Sequence, residues 1–307
     1  MSRLLKVTFS RFGGKYKQIF QAKDRFIELR VNVTHDALRD YPIMHVPPTG
    51  SNPNFNVLFV TSTSDLKFLK PNIENLKMLY PEINEFIIVT PDSSDPQLNL
   101  LKSTFGAIVY SDQEVIGSQI DKTVRKFPSD RRGWLIQQFI KTKIVYDSDF
   151  PVLVVDADTF LLKKFEWFGL LNSQLFFLNS SDFHFEYNNH FERCFEEEAP
   201  LLNFVNHVQL QFPSVVKSIY GNDLVFGWCC WLAKGKRKFQ GSPVSEFQTY
   251  GLFSILANNT RIKLYNPKHK YLSESELPNF SSLVTKTHVD WDLITVVGKT
   301  DNVNWLP

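Results

Sequence analysis

The stretch Pro151–Phe160, with the sequence PVLVVDADTF, constrains the fold of this chain more than any other. Its first five residues carry no charge and three of them are valine. This composition predicts a strand buried on both faces, because a sheet covered by helices on each side has no wet face. The strand ends in Asp156 and Asp158. Ligands of an open α/β sheet bind beyond the carboxyl ends of its strands, so these carboxylates are predicted to lie at the functional site.

Asp156 and Asp158 are two residues apart, and such residues of an extended segment project to the same side. Two carboxylates at one point repel each other, and an apolar strand behind them makes it costly to keep both ionised. A divalent cation such as Mg²⁺ or Mn²⁺ would remove that cost and would fill its other positions with water and phosphate oxygens. We therefore expect a metal that carries a diphosphate. The alternative is a solvated turn, which is what most Asp-x-Asp sequences are.

Composition bounds the class of protein. A chain of 307 residues can form one large α/β domain or two small ones, and a hydrophobic fraction of 43% with 28 Phe is typical of a folded globular protein. The 34 basic and 32 acidic residues give a net charge of +2, so nucleic acid is not an expected partner. Cys194, Cys229 and Cys230 are odd in number and two are adjacent. They predict no disulfide framework and fit a reducing compartment.

The sequence also bears on location. Arg3, Lys6 and Arg11 interrupt Met1–Phe12, so no apolar segment there is long enough for a signal peptide. The longest uncharged apolar stretch, Leu224–Ala233, is too short to span a bilayer. We expect a cytoplasmic protein, and the sequence leaves open a peripheral contact with the cytosolic face of a membrane.

Alternating strands and helices begin at Phe55. Short apolar strands are predicted at Val57–Val60, Phe86–Val89 and Ala107–Tyr110, with helices between them that include Leu98–Phe105. This alternation predicts an α/β fold with a mostly parallel sheet and right-handed crossovers. No Gly-x-Gly-x-x-Gly or Gly-x-x-x-x-Gly-Lys-Ser/Thr sequence occurs, which disfavours dinucleotide oxidoreductases and P-loop enzymes.

The sequence ahead of Phe55 has no pattern that predicts a fold of its own. Residues 1–54 are assigned to an accessory N-terminal segment, 55–299 to the main domain and 300–307 to a C-terminal tail. Within the accessory segment, strand character is found at Leu4–Phe9 and Phe26–Val33 and helical character at Lys15–Ile27, before prolines from Pro42 to Pro53 mark a connector.

A helix is predicted at Arg131–Lys141, immediately ahead of the Asp-x-Asp strand. Gln137, Gln138 and Lys141 lie within a turn of one another. They point either toward the metal site or into solvent, and their spacing does not favour one of the two. After the carboxylates, the predicted elements are a strand at Leu175–Leu178, a helix at Tyr187–Glu198 and a buried strand at Leu224–Leu232.

A further helix is predicted within Ser242–Gly251, with Ser242 as its cap and Pro243 at its first position. Glu246 then lies in the first turn, where a carboxylate meets the helix dipole favourably. Its functional alternative is a general base or a ligand of an acceptor hydroxyl. The last predicted strand, Ser282–Thr287, ends at His288, which is either structural or a third metal ligand.

Three ordered motifs carry a resemblance to a known class. They are Gly133-Trp134 with Gln137-Gln138 and Lys141 (GWxxQQxxK), Val154–Thr159 around Asp-Ala-Asp, and Ser245-Glu246-Phe247 with Tyr250-Gly251 (SEFxxYG). A strand that ends in Asp-Ala-Asp after strand and helix repeats resembles the GT-A class of nucleotide-sugar glycosyltransferases. The three motifs together are similar to a largely bacterial family of uncharacterised glycosyltransferases, over the range Phe55 to Tyr265. The fold implied is a GT-A-like, Rossmann-like sheet flanked by helices.

The resemblance implies that Asp156 and Asp158, with His288, hold Mn²⁺ or Mg²⁺, which bridges the two phosphates of a UDP- or GDP-linked sugar. Asp158 and Glu246 are the implied catalytic residues, Glu246 as a base or as an acceptor contact. The implied donor-binding residues are Thr61, Ser62, Thr63, Arg131, Arg132, Gln138, Lys141, Asp156, Ala157 and Asp158.

We therefore expect a metal-dependent glycosyltransferase that moves a sugar from a nucleoside-diphosphate sugar to a glycan or lipid-linked acceptor, in the synthesis of surface polysaccharides or other glycans. One alternative is a sugar-nucleotide nucleotidyltransferase, although Thr61–Ser64 is not the Gly-rich loop that such enzymes usually carry after the first strand. The other is a non-catalytic glycan-binding scaffold of the same fold.

Overall fold

The short apolar runs of the sequence form the strands of three sheets. The computed structural model describes residues 43–44, 54–169, 173–178, 184–197, 199, 202–234, 244–256, 262–273 and 291–297. Its strands are β1 (Ile43–Met44), β2 (Phe55–Val60), β3 (Ile83–Thr90), β4 (Ile108–Ser111), β5 (Val152–Val155), β6 (Thr159–Leu161), β7 (Phe168–Gly169), β8 (Ser173–Phe177), β9 (Val208–Gln211), β10 (Ile262–Tyr265), β11 (His269–Ser273) and β12 (Leu293–Val297).

The helices alternate with the strands up to β5 and then become clustered. They are α1 (Leu66–Leu79), preceded by a short 3-10 helix at Thr63–Asp65, α2 (Pro96–Phe105), α3 (Asp112–Val124), α4 (Ser129–Asp147), α5 (Phe185–Phe195), α6 (Pro213–Tyr220), α7 (Leu224–Ala233) and α8 (Glu246–Leu256). Local chemistry fixes several boundaries. Asp95 caps α2 ahead of Pro96, and Ser111 forms a capping box with Glu114 at the start of α3.

The central sheet has the strand order β4-β3-β2-β5-β9. The strands β4, β3, β2 and β5 are parallel, and β9 runs antiparallel to β5. The predicted α/β fold with a mostly parallel sheet flanked by helices is confirmed. This order brings the carboxyl ends of β2 and β5 side by side and places the amino end of β9 next to the carboxyl end of β5.

Both faces of β5 are covered, as its uncharged sequence predicted. Val152 and Val154 pack in a hydrophobic cluster with side chains of α3, α4, α6, α7 and α8, whereas Leu153 and Val155 pack in a second cluster with side chains of α1 and α2. All four residues are fully buried. The two carboxylates after the strand are therefore held at the edge of a dry, rigid scaffold.

The described residues also form two smaller sheets, with strand orders β1-β10-β8-β7 and β11-β12-β6. Ile43–Met44, within the predicted accessory segment, pairs in parallel with β10. In the other sheet β12 runs antiparallel to β6, and Val296 N donates to the carbonyl oxygen of Asp158 at 2.9 Å. The sheet of β11, β12 and β6 therefore adjoins the carboxylate pair.

The prediction of a buried strand at Leu224–Leu232 is wrong, because this stretch is the helix α7. Asp223 Oδ1 caps it by accepting a hydrogen bond from Phe226 N. Its buried positions, Leu224, Trp228, Trp231 and Leu232, follow helical spacing, whereas Phe226 is 64% exposed. An uninterrupted apolar run hides this periodicity in the sequence.

The helix predicted to open at Ser242 begins instead at Glu246. Ser245 Oγ accepts a hydrogen bond from Gln248 N at 3.3 Å, so Ser245 takes the capping role expected of Ser242. Ser242 and Pro243 themselves lie outside the described residues.

Several other predictions fall on parts of the chain that the structure does not describe. They are the elements at Leu4–Phe9, Lys15–Ile27, Phe26–Val33 and Ser282–Thr287, the residue His288 and the tail 300–307.

The helix α7, the most apolar of those that the structure describes, has only ten residues. Over the described ranges, no helix is both long and apolar enough to cross a membrane.

Candidate active site at the end of the central sheet

The predicted carboxylates lie in a tight turn between β5 and β6. Thr159 N donates to the carbonyl oxygen of Asp156 at 2.9 Å, the hydrogen bond that closes a four-residue turn. The strand stops at Val155, so the expectation that Asp156 and Asp158 belong to one extended segment is wrong. The turn nevertheless keeps the two side chains close enough for the charge of Asp156 to raise the pKa of Asp158.

Two asparagines of α1 donate hydrogen bonds to the backbone of this turn and of the strand β6 that follows it. The Asn72 side-chain amide donates to the carbonyl oxygens of Ala157 at 3.2 Å and Thr159 at 2.7 Å. Asn75 donates to the carbonyl oxygen of Leu161 at 2.7 Å. Both asparagines are buried. They were missed in the sequence, where their signal is a pair of polar residues three apart on an otherwise apolar helix face.

The negative charge of Asp156 is balanced by two side chains of the protein. Its Oδ1 accepts from Lys141 Nζ at 2.7 Å and its Oδ2 accepts from His207 Nδ1 at 2.9 Å. Burial alone would raise the pKa of Asp156, but Lys141 and His207 outweigh it and hold the pKa well below its usual range. Asp156 is therefore an anion with two protein partners at neutral pH.

Lys141 also bridges to Glu246, which places it between two carboxylates. Lys141 Nζ lies 3.1 Å from Glu246 Oε1, an ion pair without hydrogen-bond geometry, and both side chains are only 4% exposed. Burial would lower the pKa of Lys141, yet Asp156 and Glu246 together raise it. Burial raises the pKa of Glu246, opposed by Lys141. The lysine ammonium is thus held charged inside the protein.

The three sequence motifs meet at this lysine. Gln138 Oε1 accepts from Glu246 N at 2.9 Å, and Lys141 Nζ lies 4.6 Å from the centre of the Phe247 ring. Lys141 therefore points toward the carboxylates, as one of the two sequence interpretations had it. Gln137 instead donates to the carbonyl oxygen of Val60 at 3.3 Å.

Asp158 is the less satisfied of the two aspartates. Burial and the charge of Asp156 raise its pKa to about 6, with Asp65 contributing, while His207 opposes the rise. No lysine or arginine among the described residues forms an ion pair with it. The ionised form of Asp158 would therefore be stabilised by a bound cation.

Thr61, Ser62 and Thr63 lie at the carboxyl end of β2, beside the carboxylate turn, and their contact with a nucleotide stays a prediction. Ser62 Oγ donates to Asp65 Oδ2 at 2.7 Å, and the Thr61 hydroxyl donates to the carbonyl oxygen of Ser62 at 3.1 Å. Thr61 is buried, and Thr63 is exposed. The segment presents hydroxyl and carboxylate groups at the edge of the sheet.

Arg131 and Arg132 lie near the start of α4, about 15 Å along the helix from Lys141 by its rise per residue. Arg132 donates to the carbonyl oxygens of Phe127 and Arg125, and Arg131 pairs with Asp130 at 3.5 Å. The predicted contact of Arg131 and Arg132 with phosphate stays a prediction, because in this structure both side chains bind groups near them in the sequence.

His207 was missed in the sequence, and among the described residues it is a histidine that contacts Asp156. Its backbone φ of 61° lies in the left-handed region, which is uncommon for residues other than glycine. Its carbonyl oxygen accepts from Asp156 N at 2.8 Å while its ring binds the side chain of the same residue. Backbone conformations of this kind cluster at functional sites.

The carboxylate oxygens of Asp156 and Asp158 are donors of the kind that could hold a hard divalent cation. A carboxylate offers about four lone-pair positions, so Asp156 can accept an ion while keeping Lys141 and His207. Among the described residues, no group of three or more His, Cys, Asp or Glu side chains is arranged so that it could hold a metal ion. Magnesium-type sites use one or two carboxylates and complete the shell with water and phosphate.

No family model matches the chain, and no curated protein matches it. Solved structures similar to it include a galactosyltransferase LgtC in complex with donor and acceptor sugar analogs, with 13% identity, 80% of this chain and 88% of that chain covered, and a TM-score of 0.44. Mouse xyloside xylosyltransferase 1 has 10% identity, coverage of 83% and 99%, and a TM-score of 0.42. The S. cerevisiae mannosyltransferase Ktr4p has 10% identity, coverage of 47% and 44%, and a TM-score of 0.32. The fold assignment rests on the strand order and helices of the chain itself.

Proposed function

We propose that this protein is a glycosyltransferase that moves a sugar from a nucleoside-diphosphate sugar to a glycan or lipid-linked acceptor. The observation that carries the proposal is the half-neutralised carboxylate pair at the end of β5. Asp156 has Lys141 and His207 as partners, whereas Asp158 keeps a raised pKa of about 6. This pair lies where ligands of a parallel α/β sheet bind.

Asp158, with Asp156, would hold Mn²⁺ or Mg²⁺. When bound, the ion would supply positive charge to the departing diphosphate. The chain's own groups prepare this position. Lys141 fixes the orientation of Asp156, and Asn72 fixes the backbone on both sides of Asp158.

The end of β2 is proposed to receive the nucleoside. Asp65 and Ser62 offer an acceptor and a hydroxyl that can bind ribose hydroxyl groups. Thr61–Asp65 lie next to the carboxylate turn because β2 and β5 are neighbours in the sheet. A nucleotide bound along this edge would direct its phosphates toward Asp158.

Glu246 has a proposed role in positioning Lys141. The side chain of Glu246 is buried and forms an ion pair with Lys141. Its backbone N–H, at the start of α8, donates a hydrogen bond to Gln138 Oε1. A base must reach the acceptor hydroxyl within hydrogen-bond distance. Glu246→Gln would separate the two roles: loss of transfer with full retention of stability supports a base, and loss of both supports the positioning role.

The proposal is tested by incubating the protein with UDP-, GDP- and CMP-sugars, with and without Mn²⁺, and by recording the thermal midpoint and the products. We expect one donor to raise the midpoint only with the metal, since a ligand specific to the native state stabilises it. Free nucleoside diphosphate is the expected product. A nucleotidyltransferase would release no nucleoside diphosphate from these donors and would instead form pyrophosphate when it is given a nucleoside triphosphate and a sugar 1-phosphate.

Asp158→Asn should lower donor turnover about 100-fold or more while the protein stays folded. Asp149→Asn is the matched control, because Asp149 is exposed near the opposite end of β5. Full turnover in Asp158→Asn, or in wild type without divalent metal, contradicts the proposed metal site.

A further inference from the structure

Three aromatic rings lead from Asp156 out to the solvent. His207, whose ring is bonded to Asp156, meets the ring of His269 edge to face with centroids 5.8 Å apart. Tyr271 lies 4.4 Å from His269 with ring planes 30° apart and also meets His207 at 6.1 Å. We call these three residues the aromatic row.

The strand geometry explains why the row exists. His269 and Tyr271 are two residues apart on β11, so they project from the same face of their sheet. His269 Nε2 lies 2.9 Å from Thr295 Oγ1, which lies 2.7 Å from Thr159 Oγ1. These contacts join the row to the residue that follows Asp158.

The outer end of the row is partly exposed to solvent. Tyr271 is 46% exposed, while His269 is partly buried. Burial, helped by the neighbouring His207, lowers the pKa of His269 to about 4, so its ring is neutral at neutral pH. A large exposed aromatic side chain stacked on a neutral ring presents an apolar surface beside polar groups.

We propose that Tyr271 and His269 form a subsite for a sugar ring of the acceptor. This inference rests on the proposed glycosyl transfer and adds the place where the acceptor binds. The face of a pyranose ring that carries axial C–H groups suits the negative face of an aromatic ring, while its hydroxyls need nearby polar partners. His207, whose side chain is 30% exposed, provides such a group next to the row, whereas Thr159 and Thr295 are buried and hold the row in place from behind.

The strand order favours an acceptor sugar over the donor base. The proposed nucleoside segment, Thr61–Asp65, follows β2, and His207 precedes β9. The strands β2 and β9 flank β5 on opposite sides, so the aromatic row begins on the side of Asp156 away from the nucleoside segment. A sugar on Tyr271 would extend from there toward the carboxylates.

The test uses saturation-transfer NMR titrations of the full chain with methyl α-D-glucopyranoside, methyl β-D-galactopyranoside and lactose. We expect at least one of them to bind the wild type. Tyr271→Ala should weaken that binding about three- to tenfold, and Tyr271→Phe should retain it. Tyr110→Ala is the matched control, because Tyr110 is 37% exposed on the distant edge strand β4.

Calorimetric titrations of the same variants with UDP and with GDP, each with Mn²⁺, measure the donor side separately. The proposal expects nucleotide affinity to be unchanged in Tyr271→Ala. Saccharide binding that is absent in wild type or equal in Tyr271→Ala overturns the subsite, as does a loss of nucleotide affinity, which would assign the row to the base. Nucleotide binding that is absent from every variant would count against the proposed function instead.

Discussion

The side-chain amide of Asn72 donates a 2.7 Å hydrogen bond to the carbonyl oxygen of Thr159 from the helix beneath the carboxylate turn. A second donation to Ala157 brackets Asp158 on both sides. Since Asn72 is fully buried, water cannot replace these bonds. The position of the Asp158 carboxylate is therefore set by Asn72, which is 85 positions before Ala157 and 87 positions before Thr159.

Asn72→Ala should weaken Mn²⁺ binding, because the turn that carries Asp158 loses both of its side-chain donors. Stability should fall by about 1–3 kcal/mol for buried carbonyl oxygens left without a partner. Asn75→Ala is the control, since it frees only the carbonyl of Leu161. Urea unfolding and calorimetric Mn²⁺ titration measure the two effects, and equal metal affinity in both variants would show that Asn72 does not position Asp158.

Lys141→Met should cost about 3–5 kcal/mol of unfolding free energy, because Asp156 and Glu246 lose a buried partner. Adding Glu246→Gln to Lys141→Met should recover part of that loss. Lys143→Met serves as the control, because Lys143 forms an exposed pair with Asp147 on the same helix and should cost at most about 0.5 kcal/mol. A double-mutant cycle by denaturant unfolding measures the coupling, and strict additivity would contradict it.

The sequence predicted what local pattern controls. The uncharged run before Asp156 identified β5, and the pattern of Arg131–Lys141 identified the helix ahead of it, but the spacing of Gln138 and Lys141 did not decide whether they face the carboxylates or solvent. His207 could not be found in this way, because its approach to Asp156, 51 residues earlier, depends on β9 pairing antiparallel with β5. In Leu224–Ala233 every position is apolar or small, so neither strand nor helix period was visible.

His190 should make the protein less stable in acid. Burial, with help from Arg193 and Lys234, lowers its pKa to about 3, against about 6.5 in the unfolded chain. Between these values the unfolded state binds a proton that the native state does not, so stability falls as the pH drops through this window. From pH 7 to pH 4 the contribution is on the order of 3 kcal/mol.

The effect is measured by urea unfolding of wild type and His190→Gln at pH 7, 6, 5 and 4. Cys194 and Trp231, which contact the ring, stay in place in both proteins. The difference in unfolding free energy between the two should shrink as the pH falls. A difference that is constant across the series would contradict the buried neutral state of His190.

Gly251 is required by the approach of Phe204. A Cβ at Gly251 would lie 2.4 Å from Phe204 Cγ, and that ring is itself buried. Gly251→Ala should cost about 1–3 kcal/mol, as overpacking in a core does. Gly133→Ala, in a helix with nothing within 4 Å of the new Cβ, should instead stabilise by up to about 1 kcal/mol. Thermal unfolding of the two variants should shift in opposite directions.

The contact between Gln138 and Glu246 joins residues that are 108 positions apart. At a translation rate of roughly 5–20 residues per second, Gln138 and Lys141 leave the ribosome several seconds before α8 does. Through that interval the growing chain holds an ammonium group whose second carboxylate has not yet been synthesised. The site around Lys141 can therefore be completed only late in synthesis, after the residues of β2, β3, β4 and β5 have left the ribosome.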